Sequence, residues 1–441
     1  MPNTIEQNLQ RLVTAKQNIA NAITSKGGTV GANDGFEEFP TAIGTIPSDM
    51  NNGSFQDDVS FIDYDGTVVA SYTKEEFLQL NELPSNPSHS GLTAQGWNWS
   101  LSDAKNYMSA NTKLIIGQMY TTSDGKTRIY VSMPEGRVSP TLNLYLEANS
   151  EVDIDWGDNS THSTITSTSA DYKTETHNYS TYGDYIIQIT VVSGSAKIEG
   201  SLPVGFFYGG YKSSFSPDRA YLNCVTEVNI GSNMTLGSVA FRYCGALKYV
   251  SIPSWVTSIG GYTFDGCSSL YSICFPSGLT SMGVSAFTGC NALSVISFPK
   301  GLSLLNELSF DACGSLLCVS IPDGLSTIGN FSFEGCVALS YVCVPEGVTA
   351  LGESVFRSCA SLSSITLPST LTSIDDSCFK NTAFMEFIKF KSDVPPTVVN
   401  SNAFDGWDSS VTTIYCPTEY LQDYKSAQNY PDPSSFNYVG F

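Results

Sequence analysis

The sequence predicts a mainly β chain with some α. A solenoid of 23-residue repeats is preceded by a small β-sandwich, a small α+β module and an N-terminal helix. Three observations predict this. Phe241, Phe264, Phe287, Phe310, Phe333, Phe356 and Phe379 recur every 23 residues, and Cys244 to Cys359 and Pro253 to Pro368 keep the same interval. Upstream, residues 141–192 alternate apolar and polar side chains as antiparallel strands do. Only 14% of the 441 residues are charged, while Ser, Thr, Gly and Asn abound, which is the composition of β-rich surface and virion proteins. The expected units are residues 1–50, 51–135, 136–205, 220–391 and a C-terminal cap, 392–441.

In the first unit Ile5, Leu9, Leu12, Ile19 and Ile23 fall on a heptad seam, with Lys16 as its polar member, and the helix ends at Gly27 and Gly28. This face is the expected oligomerisation surface. No basic region followed by an unbroken apolar stretch opens the chain, so residues 1–20 do not read as a secretory signal. The expectation is assembly in a cytoplasm, with the twelve cysteines reduced.

The second unit reads as strand, turn, strand around Val59 to Tyr72, then a capping box at Thr73 to Glu76 that opens a short helix. A Pro-rich loop leads to Trp97 and Trp99, a helix follows from about Ser102, and a hairpin turns at Asp124 and Gly125. In the third unit Leu142, Leu144 and Leu146, then Val152, Ile154 and Trp156, then Tyr185, Ile187 and Ile189 mark the inward faces of three strands. The segments Asp155 to Ser160, His177 to Tyr179 and Gly183 to Tyr185 resemble the conserved turn and last strands of PKD-like domains. Asn159 departs from that pattern by standing where the family has a second glycine, and Asn also tolerates a left-handed turn.

In the repeat, each unit places one short strand, breaks it at proline, and returns through a turn carrying Leu or Val and then Ile, as at Val256 and Ile259. One unit cannot bury its apolar face alone, whereas stacked units can. Val228 to Ile230 lies one residue out of phase, as an opening cap does, and Trp407 breaks the period at the far end. The unit AFxGCxxLxxIxIPxxVTxIG resembles the BspA-like leucine-rich repeat, which implies a leucine-rich-repeat solenoid binding proteins or glycans at cell surfaces. Two N-terminal stretches, residues 22–46 and the FIDYDGTVVASYTKEE and GLTAQGWNWSL segments, resemble tail-fibre and minor structural proteins of phages infecting gut bacteria.

The net charge of −21 disfavours nucleic acid and anionic membranes, and membrane insertion is not expected. Asp63, Asp65, Gly66 and Thr67 match the DxDGT nucleophile motif of haloacid-dehalogenase-type phosphatases. The doubly wound sheet, positioned Lys and later acidic pair of that chemistry have no counterpart, so a β-turn is the better reading. Three histidines, His89, His162 and His177, lie far apart, and the ladder cysteines have no CxxC spacing. No catalytic residue, cofactor or metal is expected, although Asp153, Asp155 and Asp158 alternate closely enough to raise calcium.

Alternation assigns twelve residues to the sheet face opposite the core: Tyr249 and Ser251, Ser272 and Cys274, Val295 and Ser297, Cys318 and Ser320, Tyr341 and Cys343, Ser364 and Thr366. They form the expected ligand-binding face, with Tyr249 and Tyr341 as central contacts. None is acidic, basic or His, so no glycosidase carboxylate pair can lie there. The expected function is that of a phage or prophage tail-associated receptor-binding protein in the virion tail. Its partners would be a bacterial surface glycan or protein and other tail proteins, with a homotrimer implied by the tail-fibre resemblance. The alternatives are a bacterial cell-surface adhesin and a tail-spike depolymerase.

Overall fold

The computed structural model describes residues 58–133, 140–199 and 224–441. The heptad seam from Ile5 to Ile23 lies outside the described residues. From residue 224 onward the chain winds as a β-solenoid of about 9 turns with repeats of roughly 23 residues, as the register predicts. Its strands pair in parallel: Tyr341–Cys343, Ser364–Leu367, Phe387–Phe390, Thr413–Cys416 and Asn437–Gly440 lie side by side in that order. On the opposite wall short strands such as Thr327–Ile328, Ala350–Leu351 and Ser373–Ile374 form a second parallel ladder.

The core explains the register. Phe241 to Phe379 are fully buried and stack ring on ring, 5.1 Å apart between Phe264 and Phe287 and 5.9 Å between Phe333 and Phe356. Cysteine has a stated role beside them. The thiol of Cys290 donates to the carbonyl of Phe264 at 3.2 Å, and Cys267, Cys313, Cys336 and Cys359 do the same one coil apart. A small side chain with a weak donor fills the space and adds a second hydrogen bond to a carbonyl that already accepts from the turn backbone, as Phe264 O does from Cys267 N at 3.0 Å. Where the period breaks, Trp407 takes over: its Nε1 donates to Phe379 O at 3.3 Å and to Thr382 Oγ1 at 2.7 Å, while Phe404 continues the stack. All twelve cysteines are free and buried.

The sequence ends the repeats near residue 391, but the sheet continues through two more strands to Gly440. These lack the Phe and Cys marks, which is why spacing alone does not reveal them.

At the other end the solenoid is closed by the sandwich. We label β1 Val59–Ile62, β2 Val68–Tyr72, α1 Lys74–Gln79, β3 Leu92–Trp97, α2 Leu101–Ala110, β4 Leu114–Thr122 and β5 Thr127–Met133. There follow β6 Thr141–Leu146, β7 Ser150–Asp155, β8 Ser163–Ser167, β9 Asp171–Thr176, β10 Gly183–Ser193, β11 Ala196–Ile198, β12 Val225–Asn229 and β13 Met234–Leu236. One sandwich sheet contains β12, β5, β10, β7 and β8, and the other β13, β11, β6 and β9. Strand β12 is the hinge of the assembly: it pairs antiparallel with β5 and parallel with Tyr249–Ser251. Its Glu227 faces Tyr249 at an offset of 22 residues, the phase slip seen in the sequence. Sandwich and solenoid therefore share one apolar core from Ile129 to Tyr438.

The predicted turns hold. Thr73 and Glu76 form the reciprocal capping box of α1. Asn159 is left-handed at φ 61°. Asp63 to Thr67 is the β1–β2 hairpin turn, closed by Gly66 N donating to Asp63 O at 2.9 Å.

Charges stack by the same rule. On the ladder one residue after each Phe, Arg242 pairs with Asp265 at 2.7 Å and Arg357 with Glu334 at 3.5 Å. Asp311 stands between Thr288 and Glu334 with a base on neither side. Burial first, then the carboxylates of Glu334 and Asp265, push its pKa up to about 7.

Two outcomes are expected. Phe287→Ala should cost about 3–5 kcal/mol in urea unfolding, because the ring has fixed neighbours above and below. Because the folded Asp311 holds its proton to higher pH than the unfolded chain, its own contribution to stability should be full below about pH 4 and be lost as pH rises through 7. Asp311→Asn should flatten that fall and leave the chain more stable than the parent above pH 7 in thermal melts at a series of pH values.

Candidate functional site

The sheet face opposite the solenoid core is a stack of short strands, so its character is set by whatever occupies two positions per coil. The structure places the twelve predicted residues on this face but does not leave most of them open. Ser251, Ser272, Cys274, Val295, Ser297, Cys318, Ser320 and Cys343 are buried. This corrects the expectation that alternation alone marks a solvent face.

The cover is the α+β module. Its sheet, in the order β2, β1, β4, β3, turns Val59, Phe61, Leu114 and Ile116 toward its own helices. Ile62 and Ile115, on the other side, pack with Cys274, Val295 and Cys318. Gly117 is required at the point of closest approach. A Cβ there would meet Cys274 Sγ at 2.8 Å and Ser297 Cβ at 3.0 Å.

Polar groups fix the dock. Asn98 Nδ2 donates to Phe275 O and to Ser297 Oγ, both at 2.9 Å, while its Oδ1 accepts from Gly117 N. Trp99 Nε1 donates to Phe298 O at 2.7 Å, Tyr107 Oη to Ile321 O at 3.0 Å, and Ser272 Oγ to Tyr64 O at 2.7 Å. Tyr341, expected as a central contact, is instead tied to Thr112 through its hydroxyl and has Lys113 over its ring. Tyr249 lies with its ring 6.2 Å from that of Tyr64.

Beyond Tyr341 the face is half-buried rather than sealed, with Asn437 exposed. In register across it lie Ser364, Phe387, Thr413 and Asn437, and beside them Thr366, Lys389 and Tyr415. Phe387 meets Tyr415 edge-on at 5.8 Å, and Lys389 Nζ sits 3.7 Å over the ring of Phe441, which is half exposed. Phe387 and Lys389 were missed by the sequence reading, although each lies 23 residues after Ser364 and Thr366. Extending the register by one coil would have found them.

The other sequence-singled groups are engaged elsewhere. Asp63 is buried and bonded to His89 Nε2 at 2.6 Å, which suits a structural turn. Asp153 pairs with His162, and Asp158 with His177, whose ring stacks on Trp156 at 4.8 Å. Burial opposes the charge on Asp158, but hydrogen bonds from Ser160 and His177 prevail and hold its pKa at about 2. No metal-holding cluster of His, Cys, Asp or Glu occurs among the described residues, and no described helix is long and apolar enough to cross a membrane.

Residues 217–317 and 286–412 match the BspA type leucine rich repeat region, in six copies. The repeat region is of the BspA leucine-rich type. Solved structures match the chain as well. A T. pallidum leucine-rich repeat protein is 23% identical, covering 48% of this chain and 92% of that one, with a TM-score of 0.32. A leucine rich cell surface protein of Faecalibacterium prausnitzii is 28% identical, with a TM-score of 0.32, over 43% of this chain and 59% of its own. The pneumococcal vaccine antigen PcpA is 13% identical, with a TM-score of 0.26, over 49% of this chain and 68% of its own. The sequence matches no curated protein.

Gly117→Leu should force the module from the BspA-type coils at a cost of about 1–3 kcal/mol, the usual range for overpacking. Limited proteolysis of the full chain is expected to cut within residues 58–133 while residues 224–441 stay intact. An unchanged digestion pattern would contradict the dock.

Proposed function

We propose that the chain is a non-catalytic surface-recognition protein that contacts its ligand through the uncovered end of the solenoid sheet. The observation that carries this reading is the change along a single face. Five coils are sealed by the module, and the remainder presents Phe387, Tyr415 and Phe441 with hydroxyls of Ser364, Thr366 and Thr413 between them. Rigid aromatic rings flanked by short polar groups suit a neutral glycan or a protein loop, since the rings supply contact area at small entropic cost. Lys389 is the one cation among these positions, in a chain of charge −21, so long-range attraction of anionic polymers is not the basis of binding.

The finer setting is a phage or prophage tail, with host recognition at a bacterial surface. Its support is the resemblance of the N-terminal stretches to tail-fibre proteins. A bacterial cell-surface adhesin is the second reading, favoured by the BspA-type repeats themselves. In either setting the sandwich closes one end of the solenoid.

Binding of labelled full-length chain to gut bacterial cells tests the proposal. Phe387→Ala and Tyr415→Ala should each weaken binding by on the order of 1–3 kcal/mol if the rings are central contacts, whereas Tyr172→Ala, on the exposed sandwich surface, should not. Equal binding by all three variants would place recognition elsewhere.

A further inference from the structure

A second site, separate from the sheet face, lies where module, sandwich and solenoid meet. Strands β5 and β12 run antiparallel there, with Glu227 opposite Tyr130 and Asn229 opposite Arg128. These two cross-strand pairs form one wall of a cavity of about 170 Å³, and the other wall is Tyr64 from the β1–β2 turn with His89 to Leu92 from the following loop.

The cavity is polar and incompletely satisfied. Asn229 is 2% exposed, its Nδ2 donates to Glu227 Oε1 at 2.9 Å, and its Oδ1 has no hydrogen-bond partner among the described residues. Flipping the amide would set that oxygen against the Glu227 carboxylate, so the orphaned acceptor is inherent in the arrangement. Arg128 Nη2 is held by Asp124 at 2.6 Å, and its buried Nη1 likewise lacks a partner. An acceptor and a donor buried without partners cost on the order of 1–3 kcal/mol each, a cost that a ligand or ordered water offsets.

We propose that this junction binds a single neutral monosaccharide. The volume suits one pyranose ring rather than an oligosaccharide. Arg128 is already paired with Asp124, so Glu227 leaves the site with an excess negative charge that disfavours anions, while Arg128, Glu227 and the Asn229 amide offer donors and acceptors for neighbouring hydroxyls. Tyr64 and Tyr130 line the same space, whose open surface is almost wholly polar, so recognition there rests on hydrogen bonds to the hydroxyls of the sugar. Because the walls come from all three units, an occupied site also ties them together.

The test is saturation-transfer NMR on the full chain with glucose, galactose, mannose, fucose and N-acetylglucosamine, and with galacturonate and N-acetylneuraminate as anionic probes. At least one neutral sugar should bind saturably. Asn229→Leu and, as a variant outside the strand ladder, Tyr64→Ala should each lower its affinity about tenfold, the size expected for one lost buried contact, with the thermal midpoint and circular dichroism of the parent retained. Phe387→Ala should leave this binding unchanged, which separates the junction from the sheet-face reading. Binding of the anionic probes alone, absence of saturable binding by any neutral sugar, or identical binding by both junction variants would overturn the proposal. So would a sugar-soaked crystal holding only water in the cavity.

Discussion

Everything in this fold depends on each side chain lying directly over its copy one coil earlier. A stack of that kind buries Phe on Phe and lets the ladder cysteines from Cys267 to Cys359 bond to the carbonyl of the Phe one coil back. It also carries obligations. A stack has two ends whose strands lack a neighbour, and a broad face whose composition repeats along its length. The remaining chain is organised around those obligations. Strand β12 closes one end by pairing with β5, and Trp407, Phe404 and the last two strands extend the other.

The broad face is where structure turns into function. A module whose sheet is buried on both sides occupies most of it, through apolar contacts at Ile62 and Ile115 and a network centred on Asn98. A protein that needed the whole face for a ligand would not spend it on an internal dock. On the proposed reading the covered coils are scaffold, and the aromatic strip from Ser364 to Phe441 is the part offered to a partner.

The solenoid, its parallel pairing and its buried ladders were legible because a strict period makes many residues testify to one geometry. The hairpin at Asp65 and Gly66, the capping box at Thr73 and the left-handed Asn159 were legible because turn chemistry is local. The dock was not, since nothing in Ser272, Cys274 or Ser297 says what lies above them. A clue existed in Leu114, Ile115 and Ile116, a continuous apolar run of the sort found in strands covered on both faces. It tells that a second partner exists without naming it. The junction cavity was less visible still, because Tyr64, Arg128 and Asn229 meet only through the tertiary arrangement.

The division of the face into a covered and an open part is the central claim, and native cysteines report on it directly. Cys274, Cys318 and Cys343 lie on the covered coils, and burial raises the pKa of each thiol, so both access and ionisation oppose their alkylation. The measurement is iodoacetamide labelling of the folded Thr366→Cys chain, read residue by residue by mass spectrometry. The account predicts rapid labelling at position 366 and none at 274, 318 or 343 until denaturant is added. Comparable labelling at all four would mean that the module does not cover the solenoid.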